Sequence, residues 1–484
     1  MSQKKLIGFA VAILLSAIVW LLPEAAFHVD GLTTVEHRLI AIFVFAALMW
    51  ITEPIPIWGT SVLIMVLMLL TTSNSMLGFL NYEGVGATLN YKDVMAAFAD
   101  PTIMLFMGGF VLAIGATKVK LDATLARAII KPFGKKPKYV MLGFITVTSL
   151  LSMFMSNTAT AAMMIAILSP VLASIPESDN KGRVGLALAI PIAANIGGIG
   201  SPIGTPPNLV ATGWLEKIGI EIGFGQWMAL MVPVAVIILF FSWLMLSHFF
   251  PSQQKEIEVK IEGEVDKSPK AMIVYITFAV TVLLWVFGKA LLGINTYVVA
   301  LIPFAVFCVT GIFGKKDFAL IDWDVLWLVA GGFALGVGLE GKIAIDPVTG
   351  ESITMSKHIV SSIPFDSWPV IAVIVGSGIL CIVMSTFMSH SATAALLIPI
   401  FVAVAQGMEA ELAPFGGATT LLEGLALSAS FAMCLPISTP PNAIAYSKGF
   451  IKLKYMALTG LFVGVISLII GYAALFKFGS FLHL

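Results

Sequence analysis

The chain has 484 residues, 59% of them hydrophobic and only 11% charged, with no net charge and a mean hydropathy of +1.00. A soluble chain carries about a quarter charged residues, so this composition excludes an ordinary water-soluble domain and points to a lipid-facing exterior. No basic run suits nucleic acid. Cys308, Cys381 and Cys434 lie in apolar stretches without metal-ligand spacing and read as small buried hydrophobes.

In chain order, Lys4 and Lys5 precede an apolar run over 6–22. The run is long, lacks a clear small-residue cleavage site and is followed at once by more spans. It predicts a first membrane helix with a cytoplasmic N-terminus. A span needs about 20 apolar residues, and further long candidates are 38–52, 55–72, 138–155, 228–250, 271–290, 296–313, 368–387 and 455–477. Between them lie shorter or interrupted segments at 102–117, 159–175, 184–213, 323–339, 392–407 and 422–447, with Gly-Gly, Pro-Pro and Ser/Asn/Thr clusters. These suit re-entrant hairpins and unwound helices, which survive at membrane depth only within protein or beside water. Glu53, between two spans, reads as a loop carboxylate and less readily as a proton site, and Asp100-Pro101 reads as the cap of a first hairpin. Trp50, Trp58, Trp227, Trp285 and Trp323, near span ends, suit interfacial anchoring. Residues 118–132 predict an interfacial amphipathic helix with Val119, Leu121, Leu125 and Ile129 near one face and Lys118, Asp122 and Arg127 elsewhere. The basic cluster Lys131, Lys135, Lys136 and Lys138 predicts a cytoplasmic loop. A charged segment over 251–269 divides the chain near its middle and reads as an aqueous linker.

The chain repeats itself. Ser156-Asn157-Thr158-Ala159-Thr160-Ala161-Ala162 matches Ser389-His390-Ser391-Ala392-Thr393-Ala394-Ala395, an offset of 233 (156 to 389). Thr205-Pro206-Pro207-Asn208 matches Thr439-Pro440-Pro441-Asn442, an offset of 234 (205 to 439). Gly108-Gly109-Phe110 matches Gly331-Gly332-Phe333 at 223 (108 to 331), and the shortfall fits an insertion around Ile345–Thr354. Three matches in one order make coincidence improbable. Two repeats with no site between them would not need polar, helix-breaking elements in apolar surroundings.

The matched elements suit an anion. Ser, Asn and Thr are N-cap residues, and a helix starting there presents free N–H groups and the positive dipole end. Thr-Pro-Pro-Asn within a span ends one half-helix and starts another, leaving unwound carbonyls that can hold a cation. Paired broken segments in two halves mark a transporter's central site.

At these residues, and in Leu150–Met164 (LLSMFMSNTATAAMM), the chain resembles the divalent anion/sodium symporter family of sodium-dependent dicarboxylate, citrate and sulfate carriers. The resemblance implies an all-α integral membrane fold, an inverted-repeat transporter with about 11 transmembrane helices and two re-entrant hairpins, working as a homodimer by an elevator mechanism. It implies scaffold helices over 1–100, a first repeat with hairpin and transport half over 101–250, the linker 251–269, scaffold helices over 270–321, and a second repeat with hairpin and transport half over 322–484. Substrate would meet Asn157, Thr158, Thr205 and Pro206, and in the second half His390, Ser391, Thr439 and Pro440. A first sodium site would use Ser152, Ser156, Asn157 and the Gly204 backbone; a second would use Ser385, the Met388 carbonyl, His390 and Ser438. Sodium is thus the coupling ion, with no other cofactor, and the setting is a bacterial inner membrane. The family has Asn where this chain has His390, and usually Thr where it has Ser391. Imidazole nitrogen is a poor ligand for a hard cation. Protonated, His390 would repel sodium and attract an anion; neutral, it could be passive.

The sequence therefore predicts a secondary active importer of small divalent anions, C4-dicarboxylates foremost, coupled to sodium. A sodium-independent dicarboxylate exchanger, a proton-linked carrier, and a sulfate or citrate carrier are the alternatives. An intramembrane enzyme would need a metal or nucleophile motif, and neither His-Glu-x-x-His nor Gly-x-Ser-x-Gly occurs. A channel fits the doubled tip motifs less well than alternating access does.

Overall fold

The computed structural model describes residues 3–259, 265–346, 349–361, 363 and 368–479. Parts of the charged linker (260–264) and of the expected insertion (347–348) lie outside the described residues. Apart from one short β-ribbon, the described regular structure is helical. The first half contains α1 (Gln3–Leu21), α2 (Thr34–Thr52), α3 (Ile57–Thr71), α4 (Tyr91–Ala96), α5 (Pro101–Lys118), α6 (Leu121–Ile130), α7 (Pro137–Ser152), α8 (Asn157–Ser174), α9 (Asn180–Gly198), α10 (Pro206–Lys217) and α11 (Phe224–Phe249). The second contains α12 (Pro269–Leu292), α13 (Thr296–Val309), α14 (Lys315–Phe318), α15 (Trp323–Glu340), α16 (Met355–Ser361), α17 (Val370–Phe387), α18 (His390–Gly407), α19 (Glu409–Leu412), α20 (Gly417–Phe431), α21 (Pro440–Ser447) and α22 (Leu453–Phe478). Among the described residues, ten helical segments are long and apolar enough to cross a membrane, with α3 and α13 as shorter apolar helices. The insertion forms a ribbon of β1 (Ala344–Ile345) and β2 (Ser352–Ile353), pairing Ala344 with Ile353.

The two halves interlock. Half-helix α10 packs on α18 and α20 of the second half, and its repeat counterpart α21 packs on α8 and α9 of the first. Likewise α5 packs on α13, and α15 on α3. Each half thus completes its core with elements of the other.

Four expectations are corrected. Segments 102–117 and 323–339 are not broken: α5 and α15 run straight through their Gly-Gly pairs. Those glycines serve close packing instead. A Cβ on Gly108 would lie 2.1 Å from the Ala300 carbonyl oxygen, and one on Gly331 2.4 Å from Ser61 Cβ. Asp100 does cap a helix, its Oδ1 accepting from Thr102 N–H at 2.9 Å, but that helix is the unbroken α5. Trp50, Trp227 and Trp285 are fully buried, so of the five expected anchors only Trp58 is well exposed; their size is used for packing between helices. In α6 the buried positions are Asp122, Ala126 and Ile130, one turn-row round from the expected face.

The linker begins as a pinned strap rather than free chain. Ser252 Oγ and Gln253 N–H donate to Asp179 Oδ2 at 2.6 and 2.9 Å, and Ile257 N–H donates to the Lys135 carbonyl at 2.8 Å.

Candidate functional site

The Ser-Asn-Thr and Ser-His-Ser motifs form the tips of two helical hairpins. Helix α7 stops at Ser152 and α8 starts at Asn157, with Ser156 as N-cap, its Oγ accepting from Ala159 N–H at 3.1 Å. Helix α17 stops at Phe387 and α18 starts at His390, with Ser389 Oγ accepting from Ala392 N–H at 3.2 Å. Both Thr-Pro-Pro-Asn motifs start half-helices as well. Thr205 precedes α10 and Thr439 precedes α21, each with Pro in the first helical turn, where its missing N–H costs nothing.

The preceding segments, 199–205 and 432–439, are unwound, and specific side chains hold them. Asn208 Nδ2 donates to the Gly198 and Ser201 carbonyls at 3.1 and 2.9 Å; Asn442 Nδ2 donates to those of Met433 and Leu435 at 2.8 and 3.1 Å. The last residue of each motif is therefore a latch on its own half's break. Trp227 Nε1 adds a bond to the Ile199 carbonyl at 2.8 Å, and Ser201 Oγ donates to the Met153 carbonyl in the first hairpin tip. Gly204 approaches Gly198 so closely that a Cβ would lie 2.3 Å from the Gly198 oxygen.

These pieces meet around one cavity of about 160 Å³. Four helix N-termini, two from each half, border it: α8, α10, α18 and α21. All eight residues expected to meet substrate line it, namely Asn157, Thr158, Thr205, Pro206, His390, Ser391, Thr439 and Pro440. Of the residues expected to hold sodium, Ser156, Asn157, Gly204, His390 and Ser438 line it too, whereas Ser152, Ser385 and Met388 lie behind the surface. Each helix end contributes roughly half a positive charge, and apart from Asp322, His390 and the apolar side chains the lining offers amides and hydroxyls, with no Lys or Arg. Such a lining favours a small anion by dipoles and neutral donors, and 160 Å³ is well below a drug-sized pocket.

The first half's tip is tightly tied. Asn157's side-chain amide lies 2.5 Å from Ser152 Oγ and, with its nitrogen turned inward, donates to the Gly204 and Ala194 carbonyls at 3.1 and 3.2 Å. Ser152 Oγ also donates to the Ala194 carbonyl at 2.8 Å. In the second half His390 Nε2 lies 2.7 Å from the Ala432 carbonyl, which can only accept, so Nε2 carries a proton. Ala432 is the repeat counterpart of Gly198, against which Asn157 packs; a Cβ on Gly198 would lie 2.6 Å from the Asn157 side-chain amide. The two halves thus place different side chains at equivalent points. Ser438 Oγ donates to the Thr386 carbonyl at 2.8 Å.

Sequence reasoning missed several lining residues. Asn195, in α9, donates through Nδ2 to Thr439 Oγ1 and Asn442 Oδ1 at 3.3 and 3.2 Å, joining the halves across the cavity. Its repeat counterpart is Ala429, so no duplicated motif marks it. Phe106 and Phe110, stacked at 5.6 Å between ring centroids, form an apolar wall on α5. Asp322, before α15, supplies the one carboxylate in the lining.

Residues 3–484 match the family model for the sodium:sulfate symporter transmembrane region. The chain belongs to this family. Its members are transport proteins rather than enzymes. Among relatives, the sodium-dependent dicarboxylate transporter SdcS of Staphylococcus saprophyticus is 29% identical over 498 residues, covering 96% of this chain and 90% of that protein. The protein of the same name from Staphylococcus aureus strain USA300 is 30% identical over 499 residues with the same coverage. Among solved structures, the YdaH transporter of Alcanivorax borkumensis aligns with a TM-score of 0.51 at 12% identity, covering 91% of this chain and 98% of that one, a likeness of fold. The motifs duplicated in this chain are those that meet at the cavity.

Proposed function

We propose that this protein is a secondary active carrier that imports small dicarboxylates, C4-dicarboxylates foremost, coupled to sodium. The observation that carries the reading is the convergence of four helix N-termini from both repeats on one small cavity lined mainly by neutral donors, with no Lys or Arg. A dianion held by dipoles and hydroxyls, rather than by a buried Arg, keeps much of its hydration cost uncompensated and so leaves readily, as a carrier needs. The similarity to proteins named sodium-dependent dicarboxylate transporters supports both cargo and ion. In this reading the hairpins α7–α8 and α17–α18 are re-entrant and the chain has about 11 spans. The hairpins and broken helices of 101–250 and 322–484 move as an elevator against a scaffold from 1–100 and 270–321, in a homodimer of an inner membrane with a cytoplasmic N-terminus.

The first sodium ion sits among Ser152, Ser156, Asn157 and Gly204. A second reading rests on His390: its Nε2–H occupies the Ala432 carbonyl beside the place where the second sodium would bind. Sodium-independent exchange would then replace symport. Proteoliposome uptake of succinate, with fumarate, malate, tartrate, citrate and sulfate as competitors, tests both. Uptake that collapses without a sodium gradient is expected. Uptake indifferent to sodium but dependent on internal dicarboxylate establishes exchange instead.

A further inference from the structure

The cavity uses the ends of the broken helices and leaves one ionisable group deeper in the fold unexplained. Glu423, midway along α20, is 0% exposed, and neither of its carboxyl oxygens has a hydrogen-bond partner among the described residues. The 234-residue offset that aligns Thr439 with Thr205 aligns Glu423 with Ala189 on α9, which is equally buried. The first half builds the same half-helix with a methyl group, so the fold itself does not call for a carboxyl there.

The titratable groups on the elements packed against α20 are engaged elsewhere or stand at helix ends. On α17, Cys381 Sγ donates to the Leu425 carbonyl at 3.3 Å, and on α18, His390 is bound to that of Ala432. On α10, Glu216 accepts from Tyr297 at 2.5 Å and Lys217 lies 3.5 Å from Asp100. On α22, Tyr472 shares a 3.3 Å bond with Ser428, while Lys454, Tyr455 and Lys477 stand at its ends. Helix α9 brings Lys181 and Arg183 in its first turn, Arg183 lying over the Phe450 ring, and α19 brings Glu409 and Glu411. Other buried polar atoms on this pair of packed helices also lack partners among the described residues: Ser430 Oγ, two turns along the same face of α20 from Glu423, and Asn208 Oδ1 and Trp214 Nε1 on α10.

An ionised carboxylate at this place would be shut off from bulk solvent, with no donor or counter-charge among the described residues, which a membrane protein does not sustain; the group is neutral in this arrangement. A multivalent metal ion would need several ligating side chains around it, and no cluster of three acidic, His or Cys side chains occurs among the described residues. The proton is the occupant that one isolated carboxyl can hold. Helix α20 ends at the unwound segment of the cavity and packs across the repeat on α10. In the proposed elevator α20 travels with the broken helices, so Glu423 is carried with them from one side of the membrane towards the other.

We propose that Glu423 is a proton-binding site, loaded in the conformation described here and emptied in another state of the transport cycle, so that the carrier moves protons with its substrate. Loading is simple protonation of the carboxylate from water, and emptying its reverse. The proposal rests on the chain acting as a carrier, and its test reads the two claims separately. Wild type, E423Q and E423A are reconstituted in liposomes with a trapped pH dye, and sodium-driven uptake of labelled succinate is measured beside the change in lumen pH. Loss of succinate uptake in the wild type defeats the carrier reading itself. The expected result is succinate uptake in all three, a lumen pH change in the wild type, and loss of that change in both variants. A wild type that moves no protons overturns the proposal, as do variants that move them undiminished, because the proton then travels elsewhere, the substrate included. Should neither variant fold, the infrared carbonyl stretch of protonated carboxyl groups in glutamate-labelled wild type decides. A band that changes when succinate and sodium chloride are added supports the site. A silent band overturns it, and so does one that appears only when sodium is withdrawn, which would make sodium the occupant.

Discussion

At His390 the second half departs from the first by one side chain, Asn157 standing at the matching position. An amide at that position offers an oxygen to a hard cation, whereas imidazole offers a nitrogen, and here its Nε2–H is already spent on the Ala432 carbonyl. With Nε2 as donor, a neutral ring leaves a lone pair on Nδ1 that repels a carboxylate. Replacing His390 by Asn returns the second half to the pattern of the first. We expect H390N to lower the sodium concentration for half-maximal uptake by about fivefold, equivalent to ~1 kcal/mol for one gained ligand. Sodium titration of succinate uptake checks it, and an unchanged sodium dependence would assign the imidazole a passive role. Asn157 and His390 were both legible as cavity-lining residues because each sits inside a duplicated motif. Asn195 was not, because its counterpart is Ala429 and a lone polar residue in an apolar run carries no directional signal.

Among the elements, the unwound segments depend on close backbone approach. The Gly204 Cα faces the Gly198 carbonyl, where an added Cβ would lie 2.3 Å from a backbone oxygen that cannot swing aside. We expect G204A to displace the segment, costing about 1–3 kcal/mol in strain, and to abolish uptake while leaving the protein monodisperse. The same change at Gly376 in α17, where a Cβ meets nothing within 4 Å, should be tolerated and gain up to ~1 kcal/mol of helix propensity. Uptake and thermal unfolding of the two variants, side by side, separate a local from a general effect. Proline content announced these breaks in the sequence. The Gly-Gly pairs of α5 and α15 looked similar but serve helix contacts, since two glycines can equally relax a helix or let another backbone touch it.

At the scale of the molecule, distant parts of the chain are clasped by a buried ion pair. His358 of α16 places Nδ1 2.7 Å from Glu36 Oε1 and Nε2 2.8 Å from the Asp30 carbonyl. Carboxylate and carbonyl both accept, so both ring nitrogens donate and the imidazole is protonated. Burial alone would lower its pKa, but the Glu36 carboxylate and the Asp30 carbonyl outweigh it, and His358 titrates above its ordinary 6.5. A raised folded-state pKa contributes stability that is full below 6.5 and is lost as pH rises through the higher folded value. The thermal midpoint of the wild type should therefore fall across that interval. H358Q, which leaves Glu36 buried without its counter-charge, should unfold at lower temperature at acidic pH, by about 3–5 kcal/mol, and lose this part of the pH dependence. Thermal unfolding in detergent from about pH 5 to 9 measures both. A midpoint in H358Q that still tracks pH as in the wild type would show that the clasp does not set it.

By itself the sequence determined the membrane class, the doubled architecture and the eight residues that converge on the cavity. Hydropathy follows from the lipid solvent, and a functional motif written twice can be found by comparing the chain with itself. Only the tertiary structure decided which breaks are real, because a glycine's meaning depends on the atom opposite it. It alone showed that α10 and α21 each pack against the other half, since packing across a repeat leaves no local pattern. It also exposed the asymmetry hidden beneath the repeat, with Asn195 facing Thr439 and Asn442 while Glu423 lies buried without a hydrogen-bond partner among the described residues, as burial and partnership belong to neighbours distant in the chain.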